Sequence, residues 1–244
     1  PSHPDDCSHG DAATEWWYVH AHVSGNTEGK AAGAAEHVSV FACFFRTYKG
    51  EDPQTRAPVW AYALNWAMVD VEGRGYTQHA MVDPDSPQVI LAQIKSRQYR
   101  LDPRLEKAFH EILAQGTVPT PDVTFPSPKR QTEEGGVLSL DFGGNTFRRG
   151  EGEGEYVLEL REQRGGPVCV QLEFKAEKPA YLHGQNGVAR IGRHGEKMNY
   201  YFFPAMRVTG RISRESLTQR TPRGTKAGTP PKKGGYLEVS GRGW

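Results

Sequence analysis

Residues 15–23 combine two tryptophans, a tyrosine and two histidines in one short stretch. If the stretch is a β-strand, successive side chains point to opposite faces. One face is then apolar and consists of Trp17, Val19, Ala21 and Val23. The other face is aromatic and polar and consists of Trp16, Tyr18, His20 and His22. An aromatic face with hydrogen-bonding groups is typical of the wall of a ligand cavity, although a strand half-buried beneath a loop has the same pattern.

Residues 182–210 form a second group of aromatic and polar side chains. The group begins with Leu182-His183-Gly184-Gln185-Asn186-Gly187, whose glycines allow the backbone to approach other groups closely. Residues 198–213 are expected to form one long strand interrupted by Pro204, which belongs at an edge or a bulge. Alternation along that strand places Tyr201, Phe203 and Arg207 on one face, and Tyr200, Phe202, Met206 and Val208 on the other.

The sequence predicts neither a metal site nor a cofactor. His20 and His22 could share a cation, but zinc needs a third or fourth ligand, and no spacing in the chain supplies one. We therefore interpret both histidines as polar groups of a cavity or surface. The three cysteines are far apart and form no CxxC pair. A GxSxG elbow, a phosphate-binding glycine loop and a dinucleotide fingerprint are all missing from the sequence.

Composition limits the classes of partner. The net charge of the 244 residues is +1, so no overall field draws the chain to nucleic acid or to anionic lipid. No apolar run approaches the ~20 residues of a membrane-spanning helix. The odd number of cysteines fits a reduced compartment, so we expect a cytoplasmic protein, with secretion or periplasmic export after removal of a leader as the alternative.

Alternating apolar patterns predict an all-β fold. Residues 37–47 have two apolar faces and are expected to form a central strand covered on both sides. Residues 59–70 have a small face that includes Asn65 and a bulky face that includes Trp66; the small face could leave room for a ligand or could simply pack against complementary neighbours. Further strands are expected at residues 76–83, 89–94, 97–101, 137–142, 155–161, 168–174 and 235–241.

One helix is expected after residue 101, since Asp102 is a suitable N-cap, Pro103 fits the first helical position and Gly116 fits the end. It would close a barrel end or cover a sheet face. Residues 118–136 are rich in loop-forming residues. Residues 216–235 are basic and rich in proline and glycine, so we expect a mobile segment that folding does not require. Because no aromatic residues alternate with its charges, single-strand nucleic-acid binding is disfavoured.

The chain resembles carotenoid hydratases and AttH-like proteins, which have lipocalin-like domains and to which lipocalin-like natural-product Diels–Alderases are related. The matching pieces are His3-Pro4-Asp5-Asp6, Thr14-Glu15-Trp16-Trp17-Tyr18, Leu182-His183-Gly184 with Gly187, Tyr200-Tyr201 with Arg207-Val208-Thr209-Gly210, and Gly241-Arg242-Gly243-Trp244. The resemblance covers nearly the whole chain but only the amino-terminal part of such proteins. It implies a second lipocalin-like domain or polypeptide that completes the cavity and is absent from this chain.

We therefore expect residues 1–244 to form an antiparallel lipocalin-like open barrel or sandwich with one short helix. The expected function is that of a cofactor-free cyclase that shapes a hydrophobic polyene or polyketide-like substrate by fit and hydrogen bonding. A hydratase or lyase acting on an isoprenoid-type alkene, and a non-catalytic carrier of a hydrophobic ligand, are the alternatives. The candidate catalytic residues are Glu15, Tyr18, His183 and Tyr201. The candidate substrate-binding residues are Trp16, His20, Asn65, Trp66, Asn186, Phe203 and Trp244.

Overall fold

The computed structural model describes residues 6–26, 35–84, 86, 95, 102–104, 107, 123–124, 136–161, 168–191, 194–213 and 235–244. Almost all of the regular structure in these ranges is β-strand. The strands are β1 (Thr14–Asn26), β2 (Ala35–Glu51), β3 (Pro58–Asp70), β4 (Gly75–Val82), β5 (Val123–Thr124), β6 (Ser139–Phe142), β7 (Asn145–Arg149), β8 (Glu155–Arg161), β9 (Val168–Ala176), β10 (Tyr181–Leu182), β11 (Val188–Ile191), β12 (Glu196–Asn199), β13 (Tyr201–Phe202), β14 (Met206–Ser213) and β15 (Tyr236–Gly243).

One large sheet contains most of these strands. Its order is β5-β4-β3-β2-β1-β15-β14-β9-β8-β7-β6, and the short strands of residues 181–202 form two separate pairs, β10-β13 and β11-β12. Neighbouring strands of the large sheet run antiparallel, except that β4 and β5 are parallel. The first and last strands of the chain lie side by side, with Ala21 opposite Gly243. The sheet therefore joins the two ends of the sequence at its centre.

The sheet curls around one apolar core. Alternate residues of the long strands point into the core, as the two-residue period of a strand requires; they include Val19 and Ala21 of β1 and Leu64 of β3. The β6 edge of the sheet curls back onto the other half, where the Phe142 ring of β6 packs edge-to-face on the Phe44 ring of β2, with the ring centroids 5.2 Å apart. The prediction of an antiparallel all-β fold with an open barrel is confirmed.

Two predictions about individual strands need correction. β2 is central, as predicted, but its second face is only partly covered by the described residues: Cys43 on that face is buried, whereas Phe41 is 39% exposed. Residues 198–213 do not form one interrupted strand. The chain there divides into β12, β13 and β14, which belong to three different sheets, and Pro204 lies in the break before β14.

Several predicted elements lie outside the described residues. They are most of the helix at 102–116, the strands at 89–94 and 97–101, most of the loop-rich stretch 118–136, and the basic segment except for Gly235. At the start of the predicted helix, the backbone N–H of Arg104 donates to the Asp102 carboxylate over 2.9 Å, as an N-cap does. The helical residues that the structure describes form no helix long and apolar enough to cross a membrane.

Candidate functional site

The outward surface of the sheet carries a continuous group of rings, which we call the aromatic face. β1 alternates so that Val19, Ala21 and Val23 enter the core while Trp16, Tyr18 and His20 point to the opposite side. Phe41 of β2 and residues near the carboxyl end complete the group. The aromatic face consists of Trp16, Tyr18, His20, Phe41, His183, Tyr200 and Trp244, linked by ring-centroid distances of 4.4 to 6.5 Å.

Two tyrosine hydroxyls meet at the centre of the aromatic face. The hydroxyl oxygens of Tyr18 and Tyr200 are 2.7 Å apart, so one hydroxyl donates a hydrogen bond to the other. One of the two protons is thereby used within the pair, and the other is left to donate to a third group. Burial, and then the hydrogen bond to Tyr200, raise the pKa of Tyr18. Tyr18 is therefore neutral at ordinary pH, and the pair retains one hydroxyl hydrogen to donate.

A looped arm of the chain, residues 181–202, brings Tyr200 onto β1. The backbone N–H of Tyr200 donates to the carbonyl oxygen of Gly187 over 2.8 Å, and the N–H of His183 donates to the carbonyl oxygen of Tyr200 over 3.0 Å. The His183 ring stacks on the Tyr200 ring at a centroid distance of 4.4 Å and an angle of 14°. His183 thus orients the tyrosine that meets Tyr18.

The turn that forms this arm depends on unusual backbone angles. Asn186 has a φ of 55° and Gly184 a φ of 62°, both in the left-handed region. A side chain at Gly184 would also lie 2.2 Å from the carbonyl oxygen of Val188, so only glycine fits there. Asn186 is exposed at this turn, and the structure does not bring it together with the aromatic face. Its role here is to form the turn that positions His183 and Tyr200.

Trp244 borders the aromatic face at the opposite end. The backbones of Trp244 and His20 exchange two hydrogen bonds, of 2.9 and 3.0 Å, which extend the β1–β15 ladder by one residue. The two rings contact edge-to-face with centroids 4.4 Å apart. Burial, and then the neighbouring His22, lower the pKa of His20, so its ring is neutral near pH 7. This end of the aromatic face is therefore uncharged.

β2 and β3 extend the same surface beyond Tyr18. The strand register places Cys43 opposite Tyr18, and Asn65 opposite Cys43. Burial raises the pKa of the Cys43 thiol to about 12, which makes it an unreactive apolar group rather than a nucleophile. Asn65 is exposed and offers a carboxamide at the far side of the aromatic face. The small face of β3 is thus the outward one, next to the aromatic face.

The structure does not bring Glu15, a candidate catalytic residue, together with the aromatic face. It lies at the core side of β1 and forms an ion pair with the buried Arg46. His9 donates to the Glu15 carboxylate from its backbone N–H over 2.8 Å, and its ring lies 2.9 Å from the same oxygen. The Arg46 guanidinium stacks 3.9 Å above the centre of the Trp60 ring. Glu15 therefore holds the amino-terminal segment across one end of the barrel.

Three further candidates also lie away from the aromatic face. Trp66 is 1% exposed and stacks on His79 inside the core, because alternation along β3 turns it away from Asn65. Phe203 packs against the core near Tyr156, and Tyr201 contacts Phe203 edge-to-face. The break before β14 interrupts the alternation that would have given Phe203 and Arg207 one face. Tyr200, which sequence reasoning did not select, lies on the aromatic face, whereas Tyr201 does not.

The other half of the outward surface is charged. It is formed by β15, β14, β9 and β8 and holds a groove of about 390 Å³ whose lining includes Arg148, Glu155, Glu173, Lys175 and Arg207. Acidic and basic groups alternate there, so the groove has no strong sign of charge. Within the described parts of the chain, no group of three or more histidine, cysteine or acidic side chains could hold a metal ion.

Comparisons with known proteins identify a similar fold. No protein-family model matches the chain, and no curated protein does. The crystal structure of a "putative AttH" from Nitrosomonas europaea matches with a TM-score of 0.57 and 16% sequence identity. The match covers 99% of this chain and 52% of that one, so the chain spans about half the length of the matched protein. This likeness and the curled antiparallel sheet establish a lipocalin-like fold.

Proposed function

We propose that the aromatic face binds a hydrophobic polyene or polyketide-like molecule and that the protein acts on it as a cofactor-free cyclase. The observation that carries this proposal is the hydrogen-bonded pair of Tyr18 and Tyr200, set among rings and left with one proton to donate. The rings would hold the apolar chain of the substrate in a folded conformation. The free hydroxyl proton would bind a carbonyl oxygen of the substrate and withdraw electron density from the adjoining alkene.

Cyclisation needs little acid strength. Holding two reacting parts of one molecule together raises their effective concentration greatly, and a positioned neutral donor stabilises charge that develops in the transition state. Hydration of an alkene instead begins with full protonation of carbon. Tyr18 is a poor acid for that step because burial raises its pKa. The Glu15 carboxylate is engaged by Arg46 on the other side of the sheet.

Hydration of an alkene and non-catalytic transport of a hydrophobic ligand are the two alternative functions. The matched protein is described as an AttH, and the sequence motifs resemble those of carotenoid hydratases, which favours a hydratase. A carrier would use the same aromatic face without changing its ligand. Both alternatives predict binding to the same surface, so the chemical fate of the bound molecule distinguishes them.

A second β-rich domain or polypeptide is proposed to close the site. Phe41 is 39% exposed and Trp244 is 37% exposed, so the described residues leave the aromatic face open. Such a surface commonly marks an interaction site. The match to only half of a longer protein is in keeping with such a partner. The proposed location is cytoplasmic, in keeping with three cysteines that form no disulfide bond with one another.

The test is to incubate the chain with linear polyene substrates, alone and with candidate β-rich partners, and to analyse the recovered compound by chromatography and mass spectrometry. Cyclisation changes retention without changing elemental composition, hydration adds one water, and carriage changes neither. Tyr200→Phe should lower turnover, because the remaining Tyr18 hydroxyl loses the hydrogen bond that positions it, and Tyr18→Phe combined with Tyr200→Phe should abolish it. Tyr76→Phe is a matched control, since the Tyr76 hydroxyl, on β4, also donates one hydrogen bond, to Gln78 over 3.0 Å. Unchanged binding and turnover in both Tyr200→Phe and Trp16→Ala would refute the site.

A further inference from the structure

Four basic side chains form a row beside the aromatic face. The strand register places Lys175 opposite Arg207, Arg207 opposite Arg242, and Arg242 opposite His22. All four residues are exposed on the outward surface. We call this set of Lys175, Arg207, Arg242 and His22 the basic row. Directly opposed like charges on neighbouring strands repel one another, so the row needs negative charge nearby.

Of the lysine and two arginines in the basic row, Arg242 is the one without such a partner among the described residues. Lys175 forms an ion pair with Glu155 over 2.8 Å, and Arg207 forms one with Glu177 over 3.0 Å. Arg242 has no hydrogen bond or ion pair with any residue that the structure describes.

Among the described residues no carboxylate bonds Arg242, and Glu177, the acid at its register neighbour Arg207, is already bonded by two nitrogens of that arginine. The register neighbours of Arg242 are Arg207 and His22, and its neighbours along β15 are Ser240 and Trp244. The His22 ring lies 2.7 Å from the Ser39 hydroxyl and carries positive charge only when protonated. The nearest acid on the same strand face is Glu238, four residues away, or about 13 Å at the rise of a β-strand. Within the described part of the chain, Arg242 therefore has no acidic partner of its own, and it lies between Arg207 and His22.

The position of Arg242 relates this charge to the aromatic face. Trp244 is two residues further along β15 and therefore on the same face, where its ring contacts His20. Along β1, the distance from the row at His22 to Tyr18 is four residues, or about 13–14 Å. A molecule lying along β1 could thus reach both the basic row and the tyrosine pair.

We propose that Arg242 binds the negatively charged end of an amphipathic acid whose apolar body lies across Trp244, His20 and Phe41. The ligand class is a hydrophobic chain with a carboxylate at one end and a carbonyl or hydroxyl group about 13–14 Å away that meets Tyr18 and Tyr200. A guanidinium can donate two parallel hydrogen bonds to a carboxylate, which makes arginine well suited to this role. This inference rests on the proposed function, since it specifies the ligand of the same site.

The test compares a fluorescent polyene fatty acid, cis-parinaric acid, with its methyl ester, both titrated into the unmodified chain. The acid should bind about tenfold more tightly than the ester, as one charge-assisted interaction allows. Arg242→Gln should remove this preference by weakening the acid and leave the ester unchanged. Arg242→Lys should retain part of the preference, because it keeps the charge. Added salt should weaken the acid alone.

Arg211→Gln is the matched control, since Arg211 is an exposed arginine on the same surface that already bonds Gln171 over 2.9 Å. It should bind both probes as the unmodified chain does. Equal binding of acid and ester by the unmodified chain would overturn the anion site and leave the proposed function intact. Failure to bind either probe would refute the aromatic face as a binding site. Arg242-dependent binding only to phosphatidylcholine vesicles containing phosphatidylglycerol would instead show a membrane-docking surface and overturn the proposal.

Discussion

Replacing each of two adjacent tryptophans with alanine separates stability from ligand binding. Trp17 packs against the core, and its indole N–H donates to the carbonyl oxygen of Asp6 over 2.8 Å. Trp16 lies on the other side of the sheet, where its ring contacts Tyr200 at a centroid distance of 6.4 Å. Trp17→Ala should therefore destabilise the fold, and Trp16→Ala should mainly weaken ligand binding.

The magnitudes follow from burial. Truncating a buried tryptophan costs about 3–5 kcal/mol, and Trp17 is only half-buried, so we expect a loss near the lower bound, about 3 kcal/mol, hydrogen bond included. In a chain of this size, each kcal/mol shifts the melting temperature by about 2–4 °C, which gives a decrease of about 6–12 °C. Trp16→Ala should cost about 1 kcal/mol of stability, the scale of one aromatic pair. It should weaken binding of a polyene about tenfold.

Urea unfolding followed by circular dichroism measures the first effect, with the slope checked for two-state behaviour. Titration with a fluorescent polyene measures the second. If Trp16→Ala lowers the free energy of unfolding more than Trp17→Ala does, the assignment of the two faces of β1 is wrong. A ligand affinity that falls in Trp17→Ala but not in Trp16→Ala, with both variants folded, would refute the placement of the site.

Asp6→Asn should lower the free energy of unfolding by about 3 kcal/mol, because the buried Asp6 carboxylate accepts hydrogen bonds from Arg149 Nε and from the Tyr156 hydroxyl, each over 3.0 Å. Glu177→Gln, which breaks an exposed ion pair, should lower it by under about 1 kcal/mol. Equal melting temperatures of the two variants would contradict this. Tyr200→Phe should lower the pKa of Tyr18, because its hydrogen bond is lost while its burial remains. Since the raised pKa makes ionised Tyr18 unfavourable in the folded state, the free energy of unfolding should fall as pH rises above about 10, and it should fall less in Tyr200→Phe. Ultraviolet-difference titration and unfolding at several pH values test both points. An unaltered Tyr18 titration in the variant would count against the pair. Chelators should leave ligand binding and turnover unchanged, and stoichiometric zinc or iron in elemental analysis, with activity lost on chelation, would disprove the expectation of a metal-free site.

Elements whose signal is local were predictable from sequence. The two faces of β1 follow from strict alternation, since a strand repeats every two residues whatever its neighbours are. The strand at residues 155–161 was predicted with the bounds observed for β8, because apolar alternation and flanking glycines define it locally. Asp102 was recognised as an N-cap because capping depends on residues close in sequence.

Predictions that depended on partners distant in sequence were less successful. Sequence reasoning continued the strand alternation through Pro204 and selected Tyr201. The chain instead divides there into β13 and β14, and Tyr200 is the tyrosine that lies on the aromatic face. Glu15 was a candidate catalytic residue from the motif Thr14-Glu15-Trp16-Trp17-Tyr18. The structure pairs it with Arg46 on β2, and strand pairing cannot be deduced from either strand alone.

The sequence by itself determined the all-β class and the aromatic side chains of β1, because side-chain periodicity and turn residues act over a few positions. Only the tertiary structure decided that Tyr18 meets Tyr200 and that His20 meets Trp244, residues from opposite ends of the chain. The basic row has the same origin, since its four residues come from four strands aligned by register. Register is set by burial of a shared core and by backbone hydrogen bonds across the whole sheet, which no local stretch of sequence specifies.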